Sequence, residues 1–331
     1  MADLTFVNAD ALGKLEIFAD VPPADLAALA TELMPLRAHR GEVLMRQGER
    51  ALSFLIIASG SVHVEHTGFD GRVAVAEVPA GLVVGEIALL RNAPRTATVI
   101  VADHLYGYVG FEPAFAAMLH IPDIAEKLVR TARQRLAAFI TPIPFLAHDG
   151  TPLFLRPVLP GDGVRVIKGR VWFSPETLYK RFLSVRSPTE ALLTYLSEVD
   201  YIDHFVWVVT DAGGAVVADG RFVRTEQDSA TGEIAFTVAD AYQGRGIGTQ
   251  LFGALAITAR LDGIERFHAE VLSDNAPARA LLDKLDAQWE RDEPGVVCAT
   301  IDVPEIKDLP IELHSVNQIR DVARQVIQAF G

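Results

Sequence analysis

The sequence predicts two folded units in tandem, an all-β barrel with flanking helices followed by an α+β layer fold. Three observations carry this. The chain has 331 residues, the length of about two ordinary domains. In the N-terminal part, Gly41, Gly48, Gly60, Gly71, Gly81 and Gly85 fall at turn spacing between short apolar runs such as SFLIIA, SVHVEH and RVAVAEV. Beyond the stretch TPIPFLAHDGTP, whose three prolines and one glycine break helices, strand-like runs alternate with helical periodicity.

The first unit covers residues 1–140. LEIFADVPPADLAALATELM has helical spacing interrupted by Pro22 and Pro23, the strand-like runs follow, and a helix over about 122–140 closes the unit. Residues 141–151 read as a linker. In the second unit, 152–303, LFLRPV, FVWVVT, AVVADGRFVR, EIAFTV, RFHAEVL and VVCATIDV read as strands. SPETLYKRFLSV, TEALLTYLSEV, GIGTQLFGALAITARLDG and NAPARALLDKLDAQW read as helices. The tail, 304–331, contains the amphipathic QIRDVARQVIQAF, a candidate lid over an acceptor groove.

Half of the residues are hydrophobic and 22% are charged, which supplies sizeable cores. The net charge of -13 disfavours a duplex DNA binder, which needs cations to displace counterions from phosphates. Cys298 is the single cysteine, so no intrachain disulfide forms. MADLTFVNAD lacks a basic segment followed by an apolar one, and no apolar run reaches membrane-spanning length. The expectation is a soluble cytoplasmic protein that binds neither nucleic acid nor membrane.

Two segments carry chemistry. In VVGEIALLRNAPRTATV, Gly85 permits close backbone approach to a ligand, and the amides that follow form an anion cradle. Glu86 is an acceptor suited to a sugar hydroxyl, and Arg95 offers a guanidinium fork for a phosphate. In EIAFTVADAYQGRGIGTQLFGALAITA, a strand runs into Gln243-Gly244-Arg245-Gly246-Ile247-Gly248 and a long helix follows. Converging amides and the helix dipole there suit a pyrophosphate. Neither the Rossmann fingerprint nor the P-loop lysine is present. His63 and His66 fall on opposite strand faces, and Asp203-His204 has no serine partner, so neither a metal nor a nucleophile is expected.

The first segment resembles the phosphate-binding cassette of the cyclic-nucleotide-binding domain family, with Val84 in place of its leading Phe. The resemblance implies that Glu86 holds the ribose 2'-hydroxyl and Arg95 the cyclic phosphate. It also implies contributions from Gly85, the amides of Ile87 and Ala88, and Thr96. Arg130, Arg133 and Arg135 on the closing helix are candidates to cover the purine, with Arg135 first. Cyclic AMP is the implied ligand.

The second segment resembles the [QR]-x-x-G-x-[GA] signature of the GNAT acetyltransferase superfamily, and HAEVLSDNAPARALLDKL matches its strand followed by N-x-x-A-x-x-L. The resemblance implies that Gln243, Gly244, Arg245, Gly246, Ile247, Gly248 and Thr249 bind the pyrophosphate of acetyl-CoA. The backbone of Phe236, Thr237 and Val238 would pair with the pantetheine arm, and Asn275 would lie near the cofactor. Strand alternation puts Glu233, Ala235 and Thr237 on one face, and Glu233 is the implied base, its proton affinity raised by its neighbours. Leu282 stands where many relatives carry the tyrosine general acid. Trp172, Phe173 and Tyr179 are candidates either to line the acceptor groove or to pack in the core.

Together these features resemble bacterial cyclic-AMP-regulated protein lysine acetyltransferases. The implied partners are proteins bearing target lysines, such as acyl-CoA synthetases or a universal stress protein. A small-molecule amine N-acetyltransferase with a cyclic-nucleotide sensor is the alternative.

Overall fold

Asn8 caps helix α1 (Ala9–Leu12), its side chain accepting from the Asp10 amide. The computed structural model describes residues 7–67, 71, 73–159, 162, 173–184, 189, 192, 196, 199–291, 293–309 and 311–327. Pro23 sits in the first turn of α2 (Pro23–Glu32), where a missing amide hydrogen costs nothing. The strands of the first unit are β1 (Met34–Ala38), β2 (Val43–Met45), β3 (Ser53–Ser59), β4 (Ser61–Thr67), β5 (Val73–Pro79), β6 (Val83–Val84), β7 (Thr98–Val101) and β8 (Leu105–Phe111). They form two four-stranded sheets, β1-β8-β3-β6 and β2-β7-β4-β5. The all-β expectation stands, but as two sheets and not as a closed barrel. Gly60 makes the β3–β4 turn with φ of 83°, and a Cβ there would lie 2.2 Å from the His104 carbonyl oxygen. The short α3 (Glu86–Leu90), then α4 (Glu112–Leu119) and α5 (Ile124–Ala138) complete the unit. Phe18, Leu26, Leu29, Phe54, Ile56 and Met118 are its buried centre.

The chain divides into two compact units between Arg135 and Leu136, earlier than the expected boundary at 140. Ala137 and Ile140 belong to the second core. The expected linker, 141–151, is also absorbed: β9 (Ile143–Leu146) pairs antiparallel with β10 (Pro152–Pro157) as a hairpin at the sheet edge. The second unit continues with α6 (Pro175–Phe182), β11 (His204–Thr210), β12 (Val216–Arg224), β13 (Thr231–Val238), α7 (Ile247–Leu261), β14 (Arg266–Leu272), α8 (Ala276–Asp283), β15 (Gln288–Arg291), β16 (Val296–Asp302) and α9 (Leu313–Ile327). Most of TEALLTYLSEV lies outside the described residues. Gln288 and Trp289, expected at the end of a helix, are strand instead. Asp286 turns the chain with φ of 57°, and the Trp289 indole donates back to Asp283 at 2.7 Å.

The eight strands run in the order β15-β16-β14-β13-β12-β11-β10-β9. Every neighbouring pair is antiparallel except β13 with β14. Helix α7 is buried along most of its length, and the fully buried Trp207 of β11 donates its indole N–H to Thr258 at 2.9 Å. The tail is not a loose lid. Val316, Ile319, Ala323 and Val326 form the buried stripe of α9 and join the main core. Gly253 of α7 makes room for it, since a Cβ there would lie 2.8 Å from Ile311 Cδ1.

Ile319→Ala therefore costs about 2–5 kcal/mol through the cavity it leaves. All three tryptophans lie in the second half of the chain, so urea unfolding followed by their fluorescence reports it. An unchanged midpoint would mean that α9 contributes nothing to the core.

Candidate functional site

In the first unit, Gly85 takes φ of 89° and caps α3. A Cβ on Gly85 would sit 2.7 Å from Arg95 Nη1 and 2.9 Å from Met45 Sδ, so the close approach requires glycine. Arg95 is buried; its Nη1 donates to the Gly85 carbonyl at 2.9 Å and its Nη2 to the Ser53 carbonyl at 2.6 Å. Desolvation lowers its pKa, while Glu86 and Glu49 pull the other way. Its backbone is fixed by the Gly48–Glu49 turn, with Arg95 N donating to Glu49 O at 2.8 Å and Gly48 N to Arg95 O at 2.9 Å. Glu86 is 1% exposed, and its Oε1 accepts from Arg135 Nη1 at 2.6 Å. Glu86 Oε2 and Arg135 Nη2 are buried without a hydrogen-bond partner among the described residues. Ile87 and Ala88 lie in the first turn of α3, and the Thr96 carbonyl accepts from His66 Nδ1 at 2.6 Å. Gly85, Glu86, Ile87, Ala88 and Arg95 thus lie together, and Arg135 joins them through Glu86.

In the second unit, the parallel pairing of β13 with β14 lasts for Thr231↔Arg266, Gly232↔Phe267 and Glu233↔His268 only. β13 then continues to Val238 while β14 stays with β16 as far as Leu272. The two strands therefore part, leaving the 234–238 edge of β13 open toward β14. That edge leads into a 3₁₀ turn (Asp240–Tyr242), Gln243, Gly244 at φ of 71° and Gly246 at φ of 83°, which caps α7. The first turn of α7, with Ile247, Gly248 and Thr249, presents amides that have no intrahelical partner.

The loop is tied down on both sides. Asp240 accepts from the Ser174 amide at 2.8 Å, the Ser174 hydroxyl at 2.6 Å and the Thr177 hydroxyl at 3.1 Å. Desolvation opposes its charge, yet these donors win and hold its pKa low. Gln243 Nε2 donates to Thr177 Oγ1 and to the Val238 carbonyl, each at 3.1 Å. Arg245 pairs with Asp149 at 2.7 Å, donates to the Ala241 carbonyl at 2.6 Å and lies over the Tyr242 ring. His148 donates its backbone N–H to the Arg245 carbonyl at 3.0 Å. Its Nε2 stands 2.3 Å from where a Gly246 Cβ would be, so its imidazole fills the space that glycine leaves.

Glu233 is exposed at the point where the strands part. Ile234 is buried on the other face, and Phe236 stacks near Phe252 of α7 at 6.4 Å between centroids. The surroundings of Glu233 are not the apolar ones expected. β12 brings Arg221 to the same face, bonded to Asp219 at 2.8 Å and to the Leu196 carbonyl at 2.8 Å. Arg181 of α6 is there too: burial and Arg221 push its pKa down to about 10, against the pull of Asp219 and Glu233. His204, 3.4 Å from Arg221, falls to about 4, first by desolvation and then by Arg221 and Arg181.

Asn275 caps α8, its Oδ1 accepting from the Ala278 amide at 3.4 Å. Leu282 is core. Phe173 is buried, Tyr179 is exposed, and Trp172 lies outside the described residues. Sequence reasoning missed Asp240, Arg181, Arg221 and His148. Strand alternation puts Arg221 on the Glu233 face, and SPET announces a helix cap that needs a partner. No local signal marks His148, which lies in the stretch read as linker.

A sheet whose central strands part above a glycine-capped helix, joined in one chain to a two-sheet unit with a buried Arg–Glu cassette, defines the class: an acyltransferase unit of the GNAT type with a cyclic-nucleotide-binding unit. Residues 172–287 match the Acetyltransferase (GNAT) family and residues 35–119 the Cyclic nucleotide-binding domain. The chain is 53% identical to Acetyltransferase Pat of Mycolicibacterium smegmatis over 332 residues, covering 100% of both chains, and it belongs to that family. The solved structure of the cAMP-binding acyltransferase from Mycobacterium smegmatis is 50% identical over 100% of both chains, with a TM-score of 0.52. The cAMP-dependent protein kinase regulatory subunit of Mycosarcoma maydis is 38% identical over 91 residues, 28% of this chain and 17% of that protein. Among the described residues no helix is long and apolar enough to cross a membrane.

His204 makes a pH prediction. Its pKa falls from 6.5 to about 4 on folding, so between those values the unfolded chain binds the extra proton. Stability is full above pH 6.5 and declines as pH falls toward 4. His204→Asn flattens that part of a plot of urea midpoint against pH. An identical slope in the variant would contradict the assignment.

Proposed function

We propose that the chain is a cyclic-AMP-gated protein lysine acetyltransferase that moves acetyl from acetyl-CoA to lysine ε-amines. The observation that carries this is the opened edge of β13, with Glu233 at its mouth and the glycine-capped N-terminus of α7 at its end. An extended pantetheine arm pairs with the backbone of Phe236, Thr237 and Val238. The amides from Gly244 to Thr249 receive the pyrophosphate, with Gln243 and Arg245 holding the loop. Asn275, its Oδ1 committed to the cap, offers its amide nitrogen.

A lysine ammonium, with a pKa near about 10.4, must lose a proton before it attacks. Glu233 takes that proton, directly or through water. The amine adds to the thioester carbonyl, the carbon–sulfur bond breaks, and the CoA thiolate is protonated by solvent, because Leu282 cannot do so. Arg181 and Arg221 beside Glu233 favour the neutral form of an incoming lysine, since a like charge disfavours the ammonium.

In the first unit, Arg95 and the amides of Ile87 and Ala88 take the cyclic phosphate, with Thr96 beside them. Glu86 takes the ribose hydroxyl through its unpartnered Oε2, and Arg135 lies toward the purine. Cyclic AMP acts by favouring one of two states. The proposed targets are acyl-CoA synthetases or a universal stress protein in the cytoplasm.

Acetyl transfer to a purified acyl-CoA synthetase, with and without cyclic AMP, tests this. Glu233→Gln lowers kcat by about 10²–10⁴-fold, and Arg95→Ala loses only the response to nucleotide. Acetylation of small amines but of no protein would favour the alternative enzyme class. Transfer undiminished in Glu233→Gln would remove the base. Arg181→Met raises the pH at which the rate reaches its half-maximum; an unmoved pH profile would show that Arg181 does not tune the amine.

A further inference from the structure

On the face of β14 and β16 turned away from α7, three side chains with different donor atoms converge. His268 and Glu270 are two residues apart on β14 and so share a face. Cys298 of β16 stands opposite Glu270 in register. The imidazole nitrogen, carboxylate oxygen and sulfur lie within 4.8 Å of one another. The alternate residues Phe267, Ala269 and Ala299 are buried in the core, and Phe267 meets Phe252 of α7 at 5.8 Å. The backbone beneath the three donors is therefore fixed by packing on both strands. Glu290 of β15 stands opposite Cys298 on its other side and adds a second carboxylate to the same face.

A tetrahedral zinc ion, with bonds of about 2.0–2.3 Å, holds its ligand atoms roughly 3.3–3.6 Å apart. Side-chain rotation on fixed strands closes the remaining ångström. Imidazole, carboxylate and thiolate together suit a borderline-soft ion, whereas magnesium and calcium select all-oxygen sites.

We propose that His268, Glu270 and Cys298 bind one zinc-class divalent ion. His268 is also the register partner of Glu233, so one of the three ligands stands on the strand beside it.

The test uses the untagged full chain, freed of metal by a chelator, in equilibrium dialysis against zinc chloride with excess magnesium. One zinc per chain is expected, lost in His268→Ala and Cys298→Ser and weakened in Glu270→Gln. Cobalt(II) in place of zinc gives a thiolate charge-transfer band that Cys298→Ser abolishes. Absence of bound zinc, or unchanged zinc binding in the variants, overturns the site. Should His268→Ala unfold, Glu270→Gln, at an exposed position, decides the binding in its place.

Discussion

β13 and β14 run parallel for three residue pairs and then part. A parallel neighbour needs a crossover, and the segment between them supplies it as a glycine-rich turn and α7. The packing of α7 under the sheet fixes both strands, yet Phe236 and Phe252 fill the space between β13 and the helix only on the inner side. Among the described residues, the backbone along 234–237 has no strand partner on that side. Such an edge is tolerated only if water or another chain satisfies it. An extended polyamide is the ligand shape that an open strand edge selects, and the helix start beyond it selects an anionic end.

The geometry of that gap is held by polar links that are individually modest. Asp240 gathers three donors from Ser174 and Thr177, which also cap α6, so one carboxylate orients both the loop and the helix that carries Arg181. On the other side, the β9–β10 hairpin reaches the same loop through Asp149 and His148. The glycine positions follow from this. At Gly246 any side chain would displace His148, and at Gly253 it would displace Ile311 and the tail helix. The glycine-rich character of the segment therefore reflects close packing as well as access for a ligand.

Most of this architecture was legible because its signals are local. Period-two runs gave the strands, the Gln243–Gly248 loop announced a helix start, and the GEIALL segment announced the cassette. What escaped was set by partners distant in sequence. Nothing within 141–151 reveals that Ile143–Leu146 finds β10, since a short proline-flanked run reads as a break. The amphipathic stripe of α9 is visible in the sequence, but an apolar stripe fits a lid and a core helix equally well, and only packing against Gly253 distinguishes them. The charge around Glu233 was hidden for the same reason. Arg181, Arg221 and Asp219 come from a helix and a strand far apart along the chain.

The net charge of -13 and the anionic ligands proposed for both sites are compatible because the relevant fields are short-ranged. At physiological salt, exposed charges are screened beyond about 8 Å, whereas buried ones are screened far less. Arg95 is buried and, among the described residues, its side chain is hydrogen-bonded to neutral oxygens of Gly85 and Ser53. It has shed its water before any ligand arrives, so a phosphate meets a preorganised donor. Glu86 presents the opposite case, a buried carboxylate with one oxygen held by Arg135 and the other unpartnered. A phosphate alone satisfies the arginine and leaves Glu86 as it was; a sugar alone does the reverse. Only a ligand that carries both groups at a fixed separation satisfies the two at once, and a nucleotide whose phosphate is closed onto its ribose is such a ligand.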